Sequence, residues 1–164
     1  MMIFDFRAGA EPWRSIDDVV MGGRSSSEMV VSDGIAVFRG EVSLANNGGF
    51  ASVRSDLGEL DLSAFTGLVL RVRGDGKHYK LRLRTTTAFD GVSYQAPLEP
   101  AAGDWQELAV PFTAFEAVFR GRRLPDHEAL EPAEVKSIGL MIKDGQAGPF
   151  RLEIEWIQGY WEKP

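Results

Sequence analysis

The chain contains no cysteine, only two histidines, and no apolar run longer than about five residues. Without cysteine, disulfide scaffolds, thiol catalysis and cysteine-ligated zinc or iron–sulfur sites are excluded. The apolar runs fall far short of the roughly 18 residues that span a bilayer, so no membrane insertion is expected. His78 and His127 have no histidine neighbour at metal-ligand spacing, and the carboxylates show no calcium-loop pattern. Metal ions and other cofactors are therefore not expected. Basic charge is also in short supply: 18 lysines and arginines stand against 24 acidic residues, a net charge of −6. Such a field repels phosphate backbones, and no nucleic-acid partner is expected.

Local catalytic signatures fail one by one. Gly23-Arg24-Ser25-Ser26-Ser27 lacks the closing glycine of a nucleophile elbow. Gly74-Asp75-Gly76-Lys77 resembles the end of a phosphate loop, but Arg71 stands where its first glycine belongs and His78 replaces the Ser or Thr. It reads as a turn. The first dozen residues carry no basic and apolar signal pattern, and Asp5 and Glu11 are wrong for a mitochondrial presequence. The expectation is a cytoplasmic protein that makes no covalent chemistry of its own.

What is present is alternation. Apolar residues recur with period two over short runs separated by turn residues, the pattern of an antiparallel all-β sandwich. Its 164 residues suit a single domain over 1–164, without linker or repeat. Strands are predicted at 3–6, 29–32, 35–42, 50–54, 68–73, 80–84, 93–96, 105–110, 138–142 and 150–157, with one helical turn each at 61–65 and 132–135. Asp33-Gly34 joins two strands as a tight hairpin turn. Gly74-Asp75-Gly76 is read the same way, pairing 68–73 with 80–84.

Three loops and one stripe stand out as candidate binding features. The loop from Trp13 through Asp17, Asp18 and Arg24 admits two readings. In one, Trp13 plugs the sandwich end and Asp17 or Asp18 caps backbone amides; in the other, Asp18 and Arg24 present opposite charges to a ligand. Asn46-Asn47-Gly48-Gly49 tolerates positive φ and could form an amide-lined nest or simply join strands. Arg120 and Arg122 follow Phe119 on a third loop and could meet carboxylates.

The stripe is Arg71, Arg73, Lys80, Arg82 and Arg84, 5 of the 18 basic residues within 14 positions. On a hairpin they would share one face, where like charges destabilise the sheet. Either Glu153 and Glu155 neutralise them from a neighbouring strand, or they form a site for a polyhydroxyl or acidic partner.

In sequence order, these pieces resemble the complex I intermediate-associated protein 30 family. The resemblance runs from about Ile3 to Tyr160. It rests on Trp13 with Asp18-Val19-Val20-Met21-Gly22-Gly23-Arg24-Ser25, then Phe38-Arg39-Gly40 and Asn46-Asn47-Gly48-Gly49-Phe50-Ala51-Ser52-Val53-Arg54. Leu70-Arg71-Val72-Arg73-Gly74-Asp75-Gly76 follows, then Trp105-Gln106, Phe119-Arg120-Gly121-Arg122 and Gly148-Pro149-Phe150-Arg151-Leu152-Glu153-Ile154. The resemblance implies a fold similar to galactose-binding jelly rolls and a non-enzymatic assembly role like that of the family's eukaryotic members in respiratory complex I. It supplies no catalytic residues, and keeps Asp75 and the glycine loops as landmarks. The expected form is a stand-alone, bacterial-type member.

The leading expectation is thus a non-catalytic interaction domain with a protein partner. Its rival is a jelly-roll carbohydrate-binding module, using Trp105, Tyr94 and Tyr79 as stacking platforms beside the arginines. A hydrolase would need His78 or His127 beside a serine and a carboxylate.

Overall fold

The computed structural model describes residues 2–6, 13–17, 23–45, 49–86 and 91–162, and within these the backbone alone at 56–59. The strands are β1 (Met2–Asp5), β2 (Trp13–Ser15), β3 (Ser26–Ser32), β4 (Ile35–Val42), β5 (Ala51–Leu60), β6 (Gly67–Arg73) and β7 (Tyr79–Arg84). They continue as β8 (Ser93–Leu98), β9 (Gln106–Pro111), β10 (Glu116–Phe119), β11 (Arg122–Arg123), β12 (Val135–Ile142) and β13 (Gly148–Tyr160). Every ladder between these strands is antiparallel.

Two sheets result. The first has the order β3-β4-β13-β6-β9, with β1 added beside β13; the second has the order β11-β10-β8-β7-β12-β5-β2. Period-two alternation drives them together. In β6, Leu68, Leu70 and Val72 are fully buried, and in β7 so are Tyr79, Leu81 and Leu83. Each such side chain contributes about 1.5–3 kcal/mol when taken from water. Phe38 of β4, Phe150 of β13 and Tyr79 of β7 meet edge to face across the interior, with ring centroids 4.9–6.4 Å apart. This is the predicted jelly-roll sandwich.

One predicted connection is wrong, and it matters for the site. β6 pairs with β13 and β9, whereas β7 pairs with β12 and β8. Gly74-Asp75-Gly76 therefore carries the chain from one sheet to the other instead of closing a hairpin. Gly74 is required by close approach: a Cβ there would lie 2.6 Å from Pro100 Cγ, beside the parallel bridge to Ala102. Asp33-Gly34 does close a hairpin, with φ of 54° and 79°. Arg120-Gly121 repeats that geometry at 49° and 79°, so the third loop is the turn of a short hairpin, β10 to β11.

The turn at 132–134 is a 3-10 helix, capped by the Glu131 side chain on the Ala133 amide. At 61–65 there is no helix. Asp61 instead accepts from the Ser63 amide and hydroxyl in a local turn. Among the described residues no helix is long and apolar enough to cross a membrane.

Candidate functional site

The arginine stripe is split between the two outer surfaces of the sandwich, because its two strands lie in different sheets. On the first sheet Arg71 and Arg73 are matched by acids. Arg71 Nε reaches Glu155 at 3.1 Å and its Nη1 reaches Glu107 at 3.5 Å. Arg73 donates to Glu153 at 2.5 Å, and Arg151 reaches the same carboxylate at 3.0 Å. The hydrogen bond from Arg73, joined by Arg151, holds the Glu153 carboxyl below its ordinary value against the opposing pull of burial. Neutralisation by the neighbouring strand thus accounts for Arg71 and Arg73. Their guanidiniums also cover Trp105, at 5.8 and 5.1 Å from its ring.

The outer surface of the second sheet is built differently. Register places Lys80, Met141 and Ser52 in one row across β7, β12 and β5, and Arg82, Gly139 and Arg54 in the next. Arg84, Ser137 and Asp56 make the third row, so one acidic residue shares the register of this face. Their partners in β8 are Pro97 beside Lys80 and Gln95 beside Arg82. None of these outward positions is aromatic.

Gly139 leaves the centre of this grid open, and a pocket forms there between Arg54, Arg82, Arg84, Ser52 and Ser137. A Cβ at Gly139 would sit 2.9 Å from the Val53 carbonyl, so the floor is tight against backbone.

Arg82 is the distinctive group. Its Nη2 donates to Ser93 Oγ at 2.5 Å and its Nη1 to the Met141 sulfur at 3.8 Å, while its Nε is sealed from solvent without a hydrogen-bond partner. No carboxylate lies within ion-pair distance of it among the described residues. Burial, with the Arg84 charge added, pushes Arg82 down to about 10. Lys143, just beyond β12, is also lowered; burial is the main cause, Asp144 opposes it, and Lys80, Arg82 and Arg123 reinforce it. A mainly basic surface therefore continues from the pocket toward β11, where Arg123 pairs with Glu116 at 3.3 Å.

The other predicted site residues have structural roles or stand apart. Trp13 packs on Phe4 and Phe6 at 5.2 and 6.4 Å, plugging the sandwich end. Asp17 accepts from the Ser52 amide at 3.0 Å and the Ser27 hydroxyl at 2.5 Å, as an amide-capping carboxylate should. Asp18, Asn46 and Asn47 lie outside the described residues. Arg24 is exposed between buried Gly23 and Ser25. Arg120 lies over the Phe119 ring at 5.3 Å, and Arg122 is exposed on β11.

Asp75 is a clamp between sheets: it accepts from Tyr79 Oη at 3.0 Å, the Lys77 amide at 3.1 Å and the Arg151 amide at 2.8 Å. Burial first, and then Asp75, raise the Tyr79 phenol well above its ordinary value.

Two of the three aromatic platforms are ruled out. Tyr79 is fully buried and Tyr94 is 5% exposed, both in the core. His78 faces Glu99 at 3.4 Å and His127 contacts Tyr94 Oη at 3.3 Å, and among the described residues neither bonds to a serine hydroxyl. Sequence reasoning missed Ser52, Arg54, Ser137 and Gly139. Alternation in their strands indicates which residues face outward, but only the register of β5, β12 and β7 brings them to Arg82.

The sandwich is shared with solved structures. A family 11 carbohydrate-binding module of a Clostridium thermocellum cellulosomal cellulase is 17% identical, with a TM-score of 0.71 over 99% of this chain and 96% of that one. The module solved with a β-1,3-1,4-mixed-linked tetrasaccharide is 18% identical with a TM-score of 0.69, over 99% of this chain and 96% of that one. At these identities the likeness is one of fold.

Sequence relatives are more specific. A Caenorhabditis elegans protein described as a probable mitochondrial complex I intermediate-associated protein 30 is 31% identical over 96% of this chain and 52% of its own length. A Drosophila melanogaster protein described as mitochondrial complex I intermediate-associated protein 30 is 28% identical over 95% of this chain and 61% of its own. The chain thus spans about half the length of the curated relatives it matches. The profile described as complex I intermediate-associated protein 30 matches residues 4–154, and the chain belongs to that family.

Proposed function

We propose that the chain is a non-catalytic recognition domain of the assembly-factor kind, and that the outer face of its second sheet holds a protein partner while a respiratory complex I-like complex is put together. The relatives' descriptions as complex I intermediate-associated proteins support the process. One observation supports the surface: Arg71 and Arg73 on the first sheet have acidic partners, whereas Arg82 on the second has none among the described residues. A cation half removed from water without an acid, as Arg82 is, carries a cost to the fold alone. A partner that supplies the missing acid gives a reason for keeping it.

A sugar reading draws on the carbohydrate-binding modules that share the fold, but sugar faces of that kind depend on stacking aromatics. Here the outward positions of β5, β7, β8 and β12 named above carry none.

Affinity capture from native extract with mass spectrometry tests the proposal, using the wild type and a Lys80→Glu/Lys143→Glu variant that reverses charge on this face outside the pocket lining. The wild type is expected to enrich complex I subunits or assembly intermediates, and the variant at least about tenfold less. An extract that yields no protein partner, together with glycan-array binding by the same preparation, would sink it.

A further inference from the structure

Resting on that reading, we infer that the pocket beside Gly139 is a carboxylate subsite, which receives a glutamate or aspartate side chain from an acidic segment of the partner protein. The donor set favours this group. A guanidinium presents a planar array of N–H donors that matches a carboxylate, and the Arg82 Nη groups, bonded only to Ser93 Oγ and the Met141 sulfur, have N–H protons left over and meet no carboxylate among the described residues. Arg54 and Arg84 line the same pocket together with Ser137, while the Ser52 hydroxyl, also at its wall, donates to the Ile16 carbonyl.

The space exists because of one residue. Gly139 lies in register between Arg82 and Arg54, where any side chain would occupy the gap between the two guanidinium stems. The size and charge of the site argue against a polyanion. It is a small depression on a protein whose net charge is −6, so it suits one acidic side chain presented by a segment that also rests on Met141 and Pro97.

The test is NMR observation of arginine Nε–H resonances in 15N-labelled protein. The probes are a synthetic glutamate-rich peptide, its glutamine counterpart, inorganic phosphate and an oligogalacturonate. The Arg82 resonance is expected to shift saturably with the glutamate peptide, and the other three should bind at least about tenfold more weakly. Arg82→Lys keeps the charge but loses the fork, and should weaken the peptide about tenfold while the remaining spectrum stays folded. If Arg82→Lys unfolds, the wild-type titration still decides, because it needs no variant.

An unmoved Arg82 resonance overturns the inference. So does an equal response to phosphate, or tighter binding of the oligogalacturonate. Failure here is distinguishable from failure of the assembly reading: captured complex I proteins that are lost with the Lys80/Lys143 variant but retained by Arg82→Met would leave the surface standing and remove the carboxylate subsite.

Discussion

Asp75 sits in a turn that resembles a fragment of a phosphate loop, yet its carboxylate is spent inside the protein. One oxygen accepts from the phenol of buried Tyr79 and the Lys77 amide, and the other from the Arg151 amide, so a single side chain ties β7 to β13. Removing it strands a phenol and a strand amide together. Asp75→Ala is expected to destabilise the fold by about 2 kcal/mol, measured by denaturant unfolding, because polar groups left without partners bear their desolvation cost. A loss no larger than that of an ordinary surface substitution would show that the clamp is idle. The residue was visible in the sequence as a landmark, but its role was not, since Arg151 lies 76 positions away.

At the level of elements, the strands were legible and their neighbours were not. Alternation in 68–73 and 80–84 correctly separates inward leucines from outward arginines, because burial acts on each strand by itself. Pairing depends on which strands adjoin, and there the glycine-rich Gly74-Asp75-Gly76 segment misled: a turn and a crossing between sheets use the same residue types. The short strands β2, β10 and β11 also escaped, being too brief to show a period.

Where β6 does pair, with β13, the ladder has a consequence for pH. Glu153 is held below its ordinary value of 4.5 by the hydrogen bond from Arg73 and by Arg151. A carboxyl depressed in the folded state contributes stability that is present above its unfolded value and lost as pH falls through the folded one. The unfolding midpoint should therefore drop as pH is lowered from about 6 to about 3. Glu153→Gln should start lower near neutrality and lose less over that window. Parallel pH profiles for the two proteins would place the acid sensitivity elsewhere.

For the whole molecule, the two outer faces solve the same problem in opposite ways. One closes its charges on itself through Glu107, Glu153 and Glu155. The other keeps Arg82 half-buried against a serine and a methionine with no acid beside it among the described residues, a cost to folding that an outside partner can recover. The sandwich and the family were readable from the sequence, since both depend on local order. The pocket was not, because it exists only where three strands from distant parts of the chain come into register.

Comparing the unfolding free energies of Arg73→Met and Arg82→Met tests this asymmetry most directly. Loss of Arg73 should destabilise, since Glu153 is deprived of its principal partner. Loss of Arg82 should leave stability unchanged or raise it, since a half-buried charge whose sealed Nε has no partner gives way to an apolar side chain of similar length. A loss at Arg82 as large as that at Arg73 would contradict the account, making both arginines parts of the scaffold.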